Sequence, residues 1–336
     1  AVKFTIDESI TFAPLVNFGG VRGNIWYQFG FTDINWLGRG MQLTTFYQNI
    51  DRRHNFSIYY RLPYWRGSRW GTAVSILRFA STEPLFFDEG TVYYDYENLS
   101  FGGTGIYELS RHHFIELGGT YFVERYRKTE DQDLEVTPGP DQLTQPKFLF
   151  KFIHQIRRIN YDYYFLDGFA WMTNIQTVYN FEENDWFHIL LSDLTYFRRL
   201  SFNGNLAFRL RVGISTNTST PFAPFVLDSH VNIRGSGNRI DRGTATLILN
   251  TEYRQRFFDY RNFAGQVVVF SDLGTWRNPG GSFEDLVTEE NLRHFVGLGF
   301  RIIYKKAFNA IFRLDYGVDI RNTSERGLVL GIGQYF

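Results

Sequence analysis

Residues 310–321, AIFRLDYGVDIR, sort into two sets by parity. Ala310, Phe312, Leu314, Tyr316, Val318 and Ile320 fall on one side, and Arg313, Asp315, Gly317, Asp319 and Arg321 on the other. A period of two predicts a β-strand with one apolar and one charged face, because helical spacing would mix the sets. The pattern recurs from Phe202 to Ser215, where Leu206, Phe208, Leu210, Val212 and Ile214 oppose Asn203, Asn205, Arg209, Arg211 and Ser215. It recurs again from Thr244 to Arg256, with Leu247, Leu249 and Tyr253 opposite Asn250, Glu252 and Arg254. From Arg293 to Tyr304, Val296, Leu298, Phe300, Ile302 and Tyr304 oppose Gly297, Gly299 and Arg301.

A soluble β-sandwich would also alternate, but its strands are typically five or six residues long, about half the length seen here. The polar faces carry Gly204, Gly213, Gly297, Gly299 and Gly317, which suits the crowded inner wall of a barrel. Aromatic residues gather where strands should end, at Tyr93, Tyr94 and Tyr96, at Tyr161, Tyr163, Tyr164 and Phe165, and at Phe257, Phe258 and Tyr260, as in interfacial girdles. Composition agrees: 35 Phe, 21 Tyr and 7 Trp coexist with a mean hydropathy of -0.27, so apolar residues are spread thinly along the chain. No run approaches the roughly 18 apolar residues of a spanning helix, which leaves a closed barrel as the route through lipid. Balanced charge, 35 basic against 35 acidic side chains, argues against a nucleic-acid partner, and the absence of cysteine excludes disulfides and thiolate sites.

The chain tiles into strands near 10–19, 21–32, 40–48, 55–61, 69–80, 99–109, 113–126, 147–158, 168–179, 186–197, 202–215, 244–256, 263–275, 291–304, 310–320 and 326–336. The expected fold is all-β, a 16-stranded antiparallel transmembrane β-barrel over residues 10–336, with residues 1–9 a short periplasmic segment. Lys128–Pro146 reads as a solvated outer loop. Asn217–Gly243 is the longest connection, without evident secondary structure, and such loops are usually functional or disordered. It contains the stretch IRGSGNR at 233–239.

Catalytic signals are lacking. No G-x-S-x-G elbow occurs, and the seven histidines show no metal-ligand spacing. His112-His113 falls in a turn, and Gly102-Gly103-Thr104-Gly105 lies inside a strand without the lysine and helix of a phosphate loop. No catalytic residue, metal or cofactor is expected.

Several segments carry a resemblance. Asn35-Trp36-Leu37-Gly38-Arg39-Gly40 is similar to an N-W/F-L-G-x-G turn, and Pro63-Tyr64-Trp65 with Gly67 to a P-Y-F turn two strands later. Ile233-Arg234-Gly235 is similar to a V-R-G-F/Y motif in a sixth extracellular loop. Phe270-Ser271-Asp272-Leu273-Gly274 matches F-x-D-x-G, and Ile332-Gly333-Gln334-Tyr335-Phe336 resembles a terminal I-G-x-x-aromatic. In this order they resemble the BamA-type superfamily of 16-stranded outer-membrane barrels, which assemble or secrete proteins. The terminal Phe336 also looks like the signal by which bacterial outer-membrane barrels are handed to their assembly machine.

The chemistry of the sixth loop is legible beside the resemblance. Arg234 lies in a loop carrying Phe222, Phe225, Val226 and Leu227, too apolar to be left in water, so the loop is expected to fold into the lumen. A guanidinium buried there needs an anion. Glu252 and Asp272 sit on lumen-facing parities of neighbouring strands, so antiparallel pairing brings both carboxylates toward it. The resemblance implies the same arginine–aspartate lock. Two departures stand out: Ser236, followed by Gly237 and Asn238, replaces the family's aromatic after R-G, which predicts a loop tip held less firmly, and only nine residues precede the barrel, where relatives carry periplasmic POTRA domains.

The expected function is insertion or export of proteins at the outer membrane of a Gram-negative bacterium. The resemblance implies a short, openable seam between first and last strands, here Ile10–Gly19 against Arg326–Phe336, and Pro14 weakens it because proline donates no ladder hydrogen bond. Expected partners are outer-membrane lipid and lipopolysaccharide, unfolded outer-membrane or secreted clients, and a periplasmic or lipoprotein partner supplying client binding. The rival expectation is a structural or accessory barrel that does not translocate. A diffusion porin fits less well, because an inserted sixth loop would plug the lumen.

Overall fold

A computed structural model describes residues 10–21, 24–50, 53–87, 90–129, 139–162, 164–217, 223–228, 231–237, 241–306 and 310–336. The strands are β1 (Phe12–Val21), β2 (Asn24–Trp36), β3 (Met41–Ile50), β4 (Arg53–Leu62), β5 (Trp70–Phe87), β6 (Gly90–Ser110), β7 (His113–Lys128), β8 (Gln142–Asp162) and β9 (Phe165–Asn180). They continue as β10 (Asp185–Arg199), β11 (Gly204–Ser215), β12 (Phe225–Leu227), β13 (Asp241–Gly243), β14 (Ala245–Tyr260), β15 (Phe263–Arg277), β16 (Leu292–Tyr304), β17 (Ile311–Asp319) and β18 (Arg326–Ile332). All except β12 and β13 form one closed antiparallel barrel of sixteen strands, each beside its chain neighbour, with β11 beside β14 and β18 returning to β1.

Alternation sorts the wall into two faces. On β15, β16 and β17 the outward Val269, Leu298 and Phe312 are 54, 63 and 52% exposed, whereas the inward Gln266, Arg301 and Asp315 are fully buried. A closed wall with an apolar outside and a polar, hydrogen-bonded inside is the arrangement that satisfies every backbone group in lipid. Aromatic side chains edge the apolar band, with Trp70 and Tyr107 in contact at 4.6 Å on one rim and Tyr179 and Trp186 at 4.6 Å on the other.

The structure departs from the tiling in several places. Strands β5, β6 and β8 run to 18, 21 and 21 residues, up to about twice the 9–11 that cross a bilayer. Tyr93, Tyr94 and Tyr96 therefore lie within β6 rather than at its end, and Tyr94 points inward, fully buried against Leu85, Val92 and Tyr126. Tyr164 and Phe165 are likewise no girdle: the β8–β9 hairpin bends across the mouth of the barrel and packs on Ala264, Ile303 and Ile311. Tyr163 lies outside the described residues. Pro146, expected in the loop after β7, sits inside β8 opposite Val123. The long connection between β11 and β14 contains a two-stranded ribbon, Phe225↔Gly243 to Leu227↔Asp241. A five-residue 3-10 turn, Phe283–Val287, capped by Ser282, lies between β15 and β16.

Candidate functional site: an arginine junction and the strand seam

Facing residues set up the first site. Asn250 of β14 lies opposite Asp272 of β15, and Glu252 opposite Phe270, so one patch of inner wall carries two carboxylates, an amide and a ring. Arg234 comes down onto it. Its Nε and backbone N–H both donate to Asp272 Oδ2, at 2.8 and 2.9 Å, Nη2 donates to Asp272 Oδ1 at 2.8 Å, and Nη1 donates to Glu252 Oε2 at 2.5 Å. All three side chains are fully shielded from solvent. The guanidinium plane is sandwiched by Phe270, 3.8 Å from its ring centre, and Tyr335, 4.5 Å from its own. Charge-assisted bidentate geometry with a desolvated cation between two ring faces is among the stronger polar contacts available to a side chain.

The junction is embedded in a wider network. Asn250 Nδ2 donates to Asp272 Oδ1 at 2.8 Å and to the Asn232 carbonyl at 2.7 Å, and Arg209 Nε donates to Asn250 Oδ1 at 3.0 Å. Arg254 Nε takes the other Glu252 oxygen at 2.5 Å, and Arg301 forks onto Asp315 at 2.7 and 3.1 Å. Arg211 pairs with Asp193 and donates to Asn232 at 2.8 Å.

Glycines set how closely the loop approaches the wall. Gly235 adopts φ +92°, and a Cβ there would lie 2.7 Å from the Gly317 carbonyl oxygen of β17. A Cβ on Gly317 would meet the Arg234 carbonyl at 2.3 Å, and one on Gly327 of β18 the Gly235 carbonyl at 2.7 Å. Three glycines thus let loop backbone lie flat on wall backbone. Gly274 makes room for Ile233, whose Cδ1 would be 2.5 Å from an added Cβ. Ile233 then packs with Leu227, Trp276 and Phe295. Ser236 is buried and donates to the Ile233 carbonyl at 2.9 Å, closing the turn on itself. Phe222 and Asn238 lie outside the described residues, as do residues 1–9.

The second site is the closure of the barrel. β1 and β18 are joined through three residue pairs, Phe18↔Leu330, Gly19↔Val329 and Gly20↔Leu328, whereas β1 meets β2 along its whole length from Phe12↔Asp33 to Val21↔Asn24. Pro14 lies in the half of β1 that pairs with β2 alone, opposite Phe31. On the other side, β18 ends at Ile332, and Gly333 at φ +95° turns the chain out of the wall.

That turn shortens the last strand: the strand expected over 326–336 ends at Ile332, four residues short of Phe336. Its ring sits inside, 5.4 Å from the Arg209 guanidinium, and Arg254 Nη2 donates to its carbonyl oxygen at 3.1 Å. It borders a cavity of about 620 Å³ shared with Phe197, Tyr164 and Lys305.

The turn motifs lie elsewhere. Asn35 Oδ1 accepts from the Gly40 N–H at 2.7 Å, with Leu37, Gly38 and Gly40 all at positive φ, and Trp36 ends β2 opposite Met41. Pro63 and Tyr64 open the next turn, where the Pro63 carbonyl lies against Gly71 and Gly67 takes φ +76°. Among the described residues no hydrogen bond joins either turn to the arginine junction, so they shape the barrel's rim.

Sequence reasoning missed Arg254, Phe270 and Tyr335 as parts of the junction. Arg254 is two residues from Glu252 on one strand face, and Phe270 two residues from Asp272, a spacing that marks same-face neighbours. Tyr335 had no such signal, because its place depends on the break at Gly333.

Neither a protein-family model nor a curated protein matches this chain. Solved structures do. The chain is similar to BamA from Haemophilus ducreyi lacking POTRA domains 1–3, at 14% identity and a TM-score of 0.68, covering 97% of this chain and 70% of that one. CdiB from Escherichia coli is similar at 10% identity and 0.66, over 98% of this chain and 64% of that one. CdiB from Acinetobacter baumannii follows at 13% and 0.61, over 96% and 59%. At such identities the likeness is one of architecture: the chain has the closed antiparallel barrel fold of BamA and CdiB, the fold that its sequence motifs implied.

Proposed function

We propose that this chain is a BamA-type outer-membrane barrel that inserts or exports proteins, using the β1–β18 seam as the place where client strands are received. The observation that carries the reading is the three-pair closure, which leaves the Phe12–Asn17 edge of β1 unpaired with β18, a strand that itself ends at Ile332. An edge of free backbone donors and acceptors accepts an incoming strand by β-augmentation, with affinity that does not depend on client sequence. The loop between β11 and β14 serves as a lumen plug, fastened by Arg234 to Asp272 and Glu252. Client docking falls to a periplasmic module, joined to this chain or separate. Conditional depletion tests the reading: outer-membrane protein levels or secretion should fall, and unchanged levels of both would sink it.

The second reading is a structural barrel that does not translocate. The dense ionic packing around Arg234, Arg254 and Arg301 favours it, because such an interior resists rearrangement. Under this reading depletion leaves client levels unchanged while a partner complex falls apart.

A further inference from the structure

The outer face of β5 to β8 carries arginines where a membrane-spanning wall should turn from lipid to water. On β7, Leu117 and Tyr121 are exposed and apolar; two and three steps further up the same face come Arg125 and Arg127, also exposed. Neighbouring strands repeat the change at the same level. Glu97 and Asp95 of β6 lie opposite Arg125 and Arg127, above Leu99 and Phe101. Thr144 and Gln142 of β8 lie opposite the same arginines, above Phe148 and Phe150. Arg78 of β5 and Arg53 at the start of β4 complete the group around a hollow of about 270 Å³.

The acids orient two of the four arginines. Arg78 Nη2 meets Glu97 Oε1 at 2.7 Å and its Nη1 donates to the His54 carbonyl, while Arg53 pairs with Asp95. Arg125 and Arg127 have no ion pair with the described residues, so four guanidinium groups against two carboxylates leave a surplus of two positive charges. On β9 and β10 the aromatic row below the arginines continues, with Tyr179 opposite Phe148 and Trp186 opposite Tyr179.

We propose that Arg53, Arg78, Arg125 and Arg127 form a binding site on the outer face of the wall for the phosphate of a lipid headgroup, in the leaflet at the β5–β8 loop end. Guanidinium forks match phosphate oxygens bidentately, and a phosphate monoester carries the charge that the surplus would neutralise. The apolar tail of the same molecule lies against Phe101, Tyr121, Phe148 and Phe150, directly below the arginines. A free phosphate would gain the ionic contacts but not the apolar ones, and the exposed rings favour the lipid. This site rests on the membrane reading given under Proposed function, but not on translocation.

Native mass spectrometry of the full chain from nanodiscs of phosphatidylcholine doped with phosphatidic acid tests it. The unsubstituted protein should retain phosphatidic acid, and Arg125→Ala/Arg127→Ala should lower that retention on the order of tenfold or more, since each arginine near a charged lipid surface contributes appreciably. Arg158→Ala/Arg261→Ala, at the opposite rim, should retain it unchanged. Heat-dependent gel mobility verifies that each variant is folded. Equal retention by all three proteins overturns the site, as does equal loss in both double variants. Displacement by excess inorganic phosphate overturns the lipid assignment in favour of the free anion. A chain that fails to enter nanodiscs overturns the membrane reading and the site together, whereas one that enters without selective retention overturns the site alone.

Discussion

The junction around Arg234 and the seam between β1 and β18 are built on opposite principles. The first concentrates four hydrogen bonds from one residue, two carboxylates and two aromatic faces in a dry space. The second closes a barrel with three residue pairs. Yet the two are mechanically adjacent, because Gly235 rests on Gly317 of β17 and Gly327 of β18, the strand that forms one side of the seam. What the difference teaches bears on the proposed seam: residues 234 and 235 touch β14, β15, β17 and β18, whereas β1 meets β18 through three pairs, so under that proposal opening would fall to the β1 side.

Breaking the firm region should have the largest effect. Asp272→Ala leaves the Arg234 guanidinium buried with Glu252 as its one remaining carboxylate, already shared with Arg254. Removing one partner of a buried pair is destabilising by about 3–5 kcal/mol. Denaturant unfolding in detergent should show that loss, and a midpoint within experimental error of the parent would show that the junction contributes nothing.

Tightening the weak region should act next most strongly and in the opposite direction. Phe18 and Leu330 are directly paired across the seam, and the chain has no native cysteine. Directly opposed antiparallel residues have the separation that a disulfide accepts. Phe18→Cys/Leu330→Cys, oxidised, should be more stable than the same variant reduced by about 2–4 kcal/mol and should abolish client insertion, with reduction reversing both effects. Full activity in the oxidised state would remove the seam from the mechanism.

Between these lies the contact that couples the regions. Gly317→Ala places a methyl against the Arg234 carbonyl, where 2.3 Å is available and backbone must shift. Overpacking of this kind is destabilising by about 1–3 kcal/mol. If loop and seam are coupled, the variant should also raise proteolytic sensitivity at β18, and unchanged protection there would separate the two regions.

The two regions were not equally legible in the sequence. Arg234, Asp272 and Glu252 could be read because strand parity places same-face residues two apart and the long apolar loop had to be buried somewhere. Their neighbours Phe270 and Arg254 follow from the same rule. A short seam was implied by the resemblance alone; its register of three pairs, Phe18 to Gly20 against Leu330 to Leu328, and the positive φ at Gly333 that carries Phe336 inside left no mark in strand parity. The upper halves of β5, β6 and β8 were missed for another reason. Outside the bilayer neither face of a strand is required to be apolar, so the outward Asp95 and Arg127 and the inward Tyr94 invert the hydropathy pattern that marks a spanning segment. Strands of three residues, such as β12 and β13, are too short to show any period.

The smallest expected effect concerns the loop tip. Ser236 stands where the resemblance expects an aromatic, and the sequence reading took this as a looser hold. In the fold, however, its hydroxyl donates to the Ile233 carbonyl within the same buried turn, next to the glycine contacts. Losing one neutral hydrogen bond of this kind is worth about 1 kcal/mol. Ser236→Ala should therefore lower stability by about that amount and leave the Asp272 contact intact, whereas Ser236→Phe should be far worse, because Gly235 lies flat against Gly317 and Gly327 and leaves no space for a ring. A stabilising Ser236→Phe would mean that the tip has room the three glycines deny it, and the firm region would then end at Arg234 rather than reach β18.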